Sequence, residues 1–150
     1  MADTLISGTT IIEDTRKGKG EIWSCTGNGF IAVDSTSVYS PAGDAGGALK
    51  AGSDNDYYVK DIHLPNGVTI TTAVVYGSGA TWALKRAIIN SQNDVDSAVL
   101  AGANLGTEDE TVLSGIVDNE HYKYYFFVAN NDDTFDTNDE INGARIKYAY

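Results

Sequence analysis

Apolar and polar positions alternate along most of this chain, and the alternation predicts strands. From residue 68 to 76, Val68, Ile70, Thr72, Val74 and Tyr76 fall on one side of an extended chain, and Thr69, Thr71, Ala73 and Val75 on the other. The run reads as a strand covered on both faces. Before it, Tyr58, Ile62 and Leu64 share a face interrupted by Lys60. Between the two lies Leu64-Pro65-Asn66-Gly67. Proline presets φ and Asn-Gly supplies positive-φ positions, so a tight hairpin is expected. Residues 21–25 and 30–33 flank Thr26-Gly27-Asn28-Gly29, a second expected hairpin. Residues 81–89 suit a short helix by composition, or a strand with Trp82, Leu84 and Ile88 on one side; we take the strand. In residues 122–129, Tyr122, Tyr124, Phe126 and Val128 form one face and Tyr125 and Phe127 make the other apolar too, which marks a central strand. The last run places Ala144, Ile146, Tyr148 and Tyr150 together, with Arg145 and Lys147 opposite on a wet face.

Such runs recur about every 8–12 residues, the spacing of sandwiches and barrels. The expected fold is therefore all-β: an antiparallel β-sandwich, jelly-roll-like, as a single domain over residues 21–150. Residues 1–20, with the basic cluster Arg16-Lys17-Gly18-Lys19, read as an N-terminal docking arm. Residues 91–110 are expected to hold long loops and one weak strand. Composition agrees: 9 Tyr, 4 Phe and 2 Trp favour sheet, while 16 Gly against 2 Pro favour tight turns.

Charge and cysteine content narrow the function. A formal net charge of -11 repels nucleic-acid phosphates and anionic membranes. No apolar run approaches ~20 residues, so no transmembrane helix is expected. The first residues show no basic and apolar signal-peptide pattern, which predicts cytoplasmic synthesis. Cys25 is the single cysteine, so no intrachain disulfide can form.

Candidate chemistry is sparse. His63 and His121 lie in different segments, and a zinc site would need Cys25, both histidines and a carboxylate to converge. Cys25 would be a nucleophile only beside a histidine; among Trp23, Phe30 and Ile31 it reads as a buried, inert thiol. No nucleophile elbow or phosphate-cradling glycine loop is present, and no carboxylate pair stands out for glycoside hydrolysis. In the acidic loop of residues 130–140, Asp132, Asp136 and Asn138 offer hard oxygen ligands at spacings that suit Ca²⁺. The EF-hand pattern fails, because Thr137 and Gly143 stand where Gly and Glu are required. A solvated Asx-rich turn is the alternative. Tyr57, Tyr58 and Trp82, with Tyr39, could form a glycan-stacking platform; at sheet spacing the same aromatics also suit a core or a subunit interface.

Three stretches carry a family likeness. Residues 61–76 resemble a Leu-Pro-Asn-Gly turn leading into a Val/Ile/Thr strand that ends in Tyr. Residues 117–125 resemble an Asp-Asn-x-x-Tyr-x-Tyr strand, and residues 137–148 a closing strand with Ile, Gly, Ile and Tyr. Together, residues 56–150 resemble uncharacterised jelly-roll-like β-sandwich proteins of bacterial and archaeal viruses and surface assemblies. The motifs are structural and carry over no catalytic residues. The resemblance implies a non-enzymatic virion subunit, such as a capsid decoration, spike or fibre protein. It would be a homo-oligomer, a trimer among the candidate states, docked on other particle proteins. The alternatives are a carbohydrate- or cell-surface-binding module with a calcium-dependent loop, and a small glycan-active enzyme.

Overall fold

The computed structural model of the protein describes residues 5–6, 9–10, 18–33, 39–41, 47–51, 57–90, 97–129 and 139–150. Strands dominate. In chain order they are β1 (Leu5–Ile6), β2 (Thr9–Thr10), β3 (Gly20–Thr26), β4 (Ile31–Ala32), β5 (Tyr39–Pro41) and β6 (Leu49–Ala51). They continue with β7 (Tyr58–Ile62), β8 (Thr69–Gly77), β9 (Thr81–Ile88), β10 (Ser97–Asn104), β11 (Tyr122–Ala129) and β12 (Glu140–Ala149). A single 3₁₀ turn, Gly27–Gly29, interrupts the described strands. Among the described residues no helix is long and apolar enough to cross a membrane.

Two antiparallel sheets form the body. The first runs β10-β9-β11-β7-β4, which puts the aromatic strand β11 in the middle. In the second, β12 is central: β8 pairs along one edge, and β3 and then β6 share the other, with β5 beyond β6. The sheets stack face to face. Tyr58, Leu84, Phe126 and Val128 project from the first, and Val75, Ile141 and Ile146 from the second, all essentially fully buried. Trp23 on β3 reaches across to the Phe126 ring, with centroids 6.1 Å apart. The antiparallel sandwich read from the alternation is the fold. The N-terminal arm falls largely outside the described residues; within it, β1 and β2 pair antiparallel.

Both expected hairpins are instead corners between sheets. The 64–67 turn forms, with Gly67 at φ 83°, but β7 belongs to the first sheet and β8 to the second. The edge a hairpin partner would have taken is held by residues 115–117. Gly67 N donates to Val117 O, Val117 N to Val68 O, and Ile70 N to Gly115 O, each at 2.8 Å. Asn119 locks the same corner, its Nδ2 donating to Leu64 O at 2.9 Å and its backbone N to Asn66 Oδ1 at 2.8 Å. The 26–29 turn likewise joins β3 in the second sheet to β4 in the first. There a Cβ on Gly27 would collide with the Ile141 carbonyl, so only glycine lets β12 pass that close.

The face assignment of β8 also changes partway. Lys147 pairs with Thr72 but Tyr148 with Ile70, which leaves Thr71 as an extra residue. A bulge of one residue reverses the alternation after it. The core face is therefore Val68 and Ile70, then Ala73 and Val75, rather than the unbroken series Val68, Ile70, Thr72, Val74, Tyr76. A second bulge, at Leu100, lets the adjacent Leu100 and Ala101 both be buried. In β9, Trp82 and Leu84 are buried as expected, but Ile88 emerges at the end of the sheet, 41% exposed.

Residues 106–117 line the outer edge of β8 through backbone bonds, Asp109 N donating to Ala73 O and Ala73 N to Asp109 O. Two carboxylates tie the segment to the strands on either side. Asp109 accepts from Gly102 N, Thr111 N and the Thr111 hydroxyl at 3.0, 2.8 and 2.7 Å. These bonds, that from Gly102 foremost, hold its pKa below the ordinary 3.8. Glu108 pairs with Arg145 at 2.9 Å and Lys147 at 3.2 Å. Its pKa is lowered below 4.5, first by the Thr72 hydroxyl and then by the two cations.

Two outcomes follow from these attachments. A carboxylate whose pKa is lower in the folded chain stabilises it above the ordinary pKa, and that stability is lost as pH falls toward the folded value. Urea unfolding followed by tryptophan fluorescence should therefore show stability dropping below about pH 4.5. The variant Asp109→Asn should be less stable at neutral pH by about 1 kcal/mol and lose less on acidification; an unchanged acid slope contradicts this attachment. For the 64–67 corner, Asn119→Ala leaves the Leu64 carbonyl short of a donor. Amide exchange at Gly67 and Val117 should then quicken by roughly tenfold while β11 stays protected.

Candidate functional site

Of the aromatics nominated for a glycan platform, Tyr57, Tyr58 and Trp82 do not share a surface, and the Tyr39 side chain lies outside what is described. Successive residues of a strand point to opposite faces, so Tyr58 lies in the core at 0% exposure while Tyr57 stands outside at 40%. Trp82 is buried at 2%, with its Nε1–H donated to Thr107 O at 3.1 Å and its ring edge on Phe126. Neither Tyr58 nor Trp82 has a face open to a sugar. Tyr57 stacks on Phe127, 5.9 Å between centroids, on the outer surface of the first sheet. Asp132, Asp136 and Asn138 lie outside the described residues. Cys25 is half-buried on β3, and burial raises its thiol pKa against the opposing pull of Lys60. A thiol held protonated in this way is a poor nucleophile.

A different place collects chemistry. Strands β7 and β11 are antiparallel neighbours, with Tyr124 opposite Ile62. The end of one therefore lies beside the start of the other, and the end of β9 comes alongside, with Tyr122 opposite Ile88. Two adjoining depressions open at this end of the sandwich. The first, about 450 Å³, includes His63, Ile89, Asn119, Tyr122 and Lys123 in its lining. The second, about 440 Å³, includes Ile88, Ile89, Asp118, Glu120, His121 and Tyr122. Ile89 and Tyr122 are common to both and form the ridge between them.

The cleft is built on a firmly held turn. Val117 anchors it in the core at 1% exposure. Asp118 N donates to the Tyr124 hydroxyl at 2.9 Å, Tyr122 N to Asp118 O at 3.0 Å, and Glu120 N to Asp118 Oδ1 at 3.1 Å. Ile89 N closes the other wall by donating to His121 O at 2.9 Å. The Asp118 carboxylate meets His121 Nδ1 at 2.7 Å. That bond, above the other causes, keeps the Asp118 pKa below the usual 3.8. Arg86 lies over the Tyr122 ring at 4.3 Å and supports it from one side.

Asp118, Glu120 and His121 bring ligand atoms within 4.8 Å of one another, and among the described residues this is the group able to share a cation. Asp118 and His121 Nδ1 already bond each other without one, and Asp118 Oδ1 accepts from Glu120 N. Cys25 and His63 belong to no such group, so the zinc arrangement considered from the sequence does not assemble among the described residues. The cleft offers an apolar ridge ringed by amide, imidazole, carboxylate and ammonium groups, which is equipment for holding a polar ligand. Sequence reasoning missed it because each histidine looked isolated. The available signal was that one histidine follows the end of a strand and the other precedes the start of one.

The chain matches no protein-family model and no curated protein. Among solved structures it is similar to the low-affinity xylan binding module CBM86 from Roseburia intestinalis, at 10% identity and TM-score 0.45, covering 87% of this chain and 96% of that one. It is also similar to the C-terminal CBM6 of LamC, a marine laminarinase from Zobellia galactanivorans, at 10% identity and TM-score 0.46, covering 84% and 98%. A third similarity, at 13% identity and TM-score 0.33, is to the structure of infectious bursal disease virus strain Gx, covering 99% of this chain and 37% of that one.

Proposed function

We propose that this domain is a carbohydrate-binding module that holds a neutral glycan in the cleft at the end of the sandwich. The observation that carries the reading is the ridge of Ile89 and Tyr122 between two depressions, each rimmed by side chains that donate and accept hydrogen bonds. A sugar ring presents an apolar C–H face and a belt of hydroxyls. The ridge suits the first; His63, Asn119, Lys123, Glu120 and His121 suit the second. Ile89 is 54% exposed, an apolar side chain left in water at the middle of a polar cleft. Asp118 and Glu120, on a chain of net charge -11, repel phosphorylated and sulfated ligands. The best-fitting ligand is therefore uncharged and polyhydroxylated. Binding is non-covalent, and no chemical step is assigned to these residues.

The particle-subunit reading has separate support. Ile31, Val33, Tyr57 and Val99 are all large, apolar and 40–61% exposed. On the outer surface of the first sheet they suit a protein neighbour better than a sugar. A binding module displayed on a particle would reconcile the two surfaces.

A glycan array followed by calorimetry on the best neutral ligands tests the cleft. Wild-type chain should bind with a Kd in the range of about 10 μM to 1 mM. Tyr122→Ala and Ile89→Asp should each weaken it by about tenfold or more, while Tyr57→Ala, on the outer sheet face, leaves it unchanged. Ile89 is half in solvent, so its variant separates lost binding from lost folding. Silence across the array at millimolar concentration, or binding that depends on Tyr57 and not on Ile89, overturns the proposal.

A further inference from the structure

The outer face of the first sheet is laid out as a surface that complements itself. Its rows follow from the strand registers. One row crosses Ile31, Val59, Phe127, Ala83 and Gly102. The next crosses Asp61, Tyr125, Lys85 and Val99. Asp61 and Lys85 thus sit on opposite sides of β11, each about 4.8 Å from it. The apolar members are conspicuous: Ile31 is 61% exposed, Val99 54% and Tyr57 40%. Lys85 is already folded over this surface, its Nζ 4.4 Å from the centroid of the Phe127 ring.

We propose that this face pairs with the same face of a second copy of the chain, about a two-fold axis lying in the interface and running along β11. That rotation exchanges the two sides of β11. Phe127, Tyr125 and, at the start of the strand, the exposed Lys123 meet their own counterparts on the axis. Val59 lies over the partner's Ala83, and Ile31 over the partner's Gly102, so the bulkier side chain meets the smaller at each position. Asp61 lies over the partner's Lys85 and Lys85 over the partner's Asp61, giving two opposite-charge contacts from one operation. The alternative two-fold, crossing the strands along the same row, sets Lys85 over Lys85 and Asp61 over Asp61. The axis along β11 thus gives two opposite-charge contacts against one meeting of Lys123 with itself at the margin. The alternative gives two like-charge contacts, and charge still favours the axis along β11.

The face is five strands wide, roughly 24 Å. Three rows of outward side chains give it a footprint of roughly 500 Å² per copy, below the ~800 Å² per partner of a standard interface. The dimer is accordingly weak, with dissociation expected at tens of micromolar. Asp61 and Lys123 also line the first depression, so self-association is read on the chain without ligand. Lys85 and Ile31, which line neither depression, supply the variants that leave the cleft intact.

Sedimentation equilibrium from about 5 μM to 1 mM at roughly 0.15 M salt, where the Debye length of about 8 Å screens the overall negative charge, tests it. Wild-type chain should fit a monomer–dimer equilibrium. Asp61→Lys and Lys85→Asp should each weaken the dimer by at least about tenfold, since each sets like charges together twice. The double variant should return to within about threefold of wild type, because the swap restores both contacts. Ile31→Glu should abolish the dimer while circular dichroism stays unchanged. A chain that is monomeric at the highest concentration overturns the proposal. So does a trimer, a dimer indifferent to both single reversals, or a double variant no better than the singles. If wild type is monomeric and Ile31→Glu loses glycan binding, the face belongs to a ligand instead and the pairing is wrong.

Discussion

Phe126 sits where the two sheets close on one another. It is fully buried on the middle strand of the first sheet, with Trp82 packed edge-on from the neighbouring strand at 5.8 Å and Trp23 reaching it from the opposite sheet at 6.1 Å. Emptying such a site costs about 3–5 kcal/mol, a large share of what a domain this size has in reserve. Three aromatic rings meeting at one point also set the registers of the strands that carry them. A slip of one residue in β9 or β11 would turn Trp82 or Phe126 out to solvent. Alternation of side chains elsewhere in the sandwich is meaningful because this contact holds it in phase.

The path of the chain follows from closing a sandwich with short connections. At residues 27–29, 64–68 and 77–80 the chain crosses from one sheet to the other instead of turning back beside itself. Crossing leaves the outer edge of β8 open, and residues 106–117 cover it with backbone bonds pinned by Glu108 and Asp109. An uncovered edge would be a template for aggregation. The corner at 64–68 and the turn at 118–121 then brace each other through Asn119. The end cleft is therefore placed by the way the edges are closed, and its residues come from segments far apart in sequence.

Function on such a scaffold is a matter of surfaces. Cys25 is muted by burial. Among the described residues two exteriors are distinctive: the end cleft, where an apolar ridge is ringed by polar groups, and the outer face of the first sheet, where aromatics and aliphatics surround Asp61, Lys85 and Lys123. A hydroxyl-rich ligand is proposed for the first and a second copy of the chain for the second. A chain that displays a ligand site at one end and self-associates along one face would present that site in pairs, so that weak individual binding gains from proximity.

The sequence by itself determined the strands, because burying one side of an extended chain demands a period of two, and runs such as residues 122–129 and 81–88 obey it. It determined the central place of β11, whose two apolar faces would suit no edge, and it determined where the chain turns, since Gly67 and Gly27 hold positions that other residues fill badly. Tertiary structure decided the rest. Whether a turn closes a hairpin or a corner depends on which edge is still vacant, and at Gly67 residues 115–117 had filled it. The bulge at Thr71 reversed a face that local pattern had drawn straight through. Tyr58 and Trp82 went to the core because burial of a large aromatic outweighs leaving it in water. Residues 61–63 and 118–122 became neighbours only through pairing between strands, a long-range contact that no local spacing encodes.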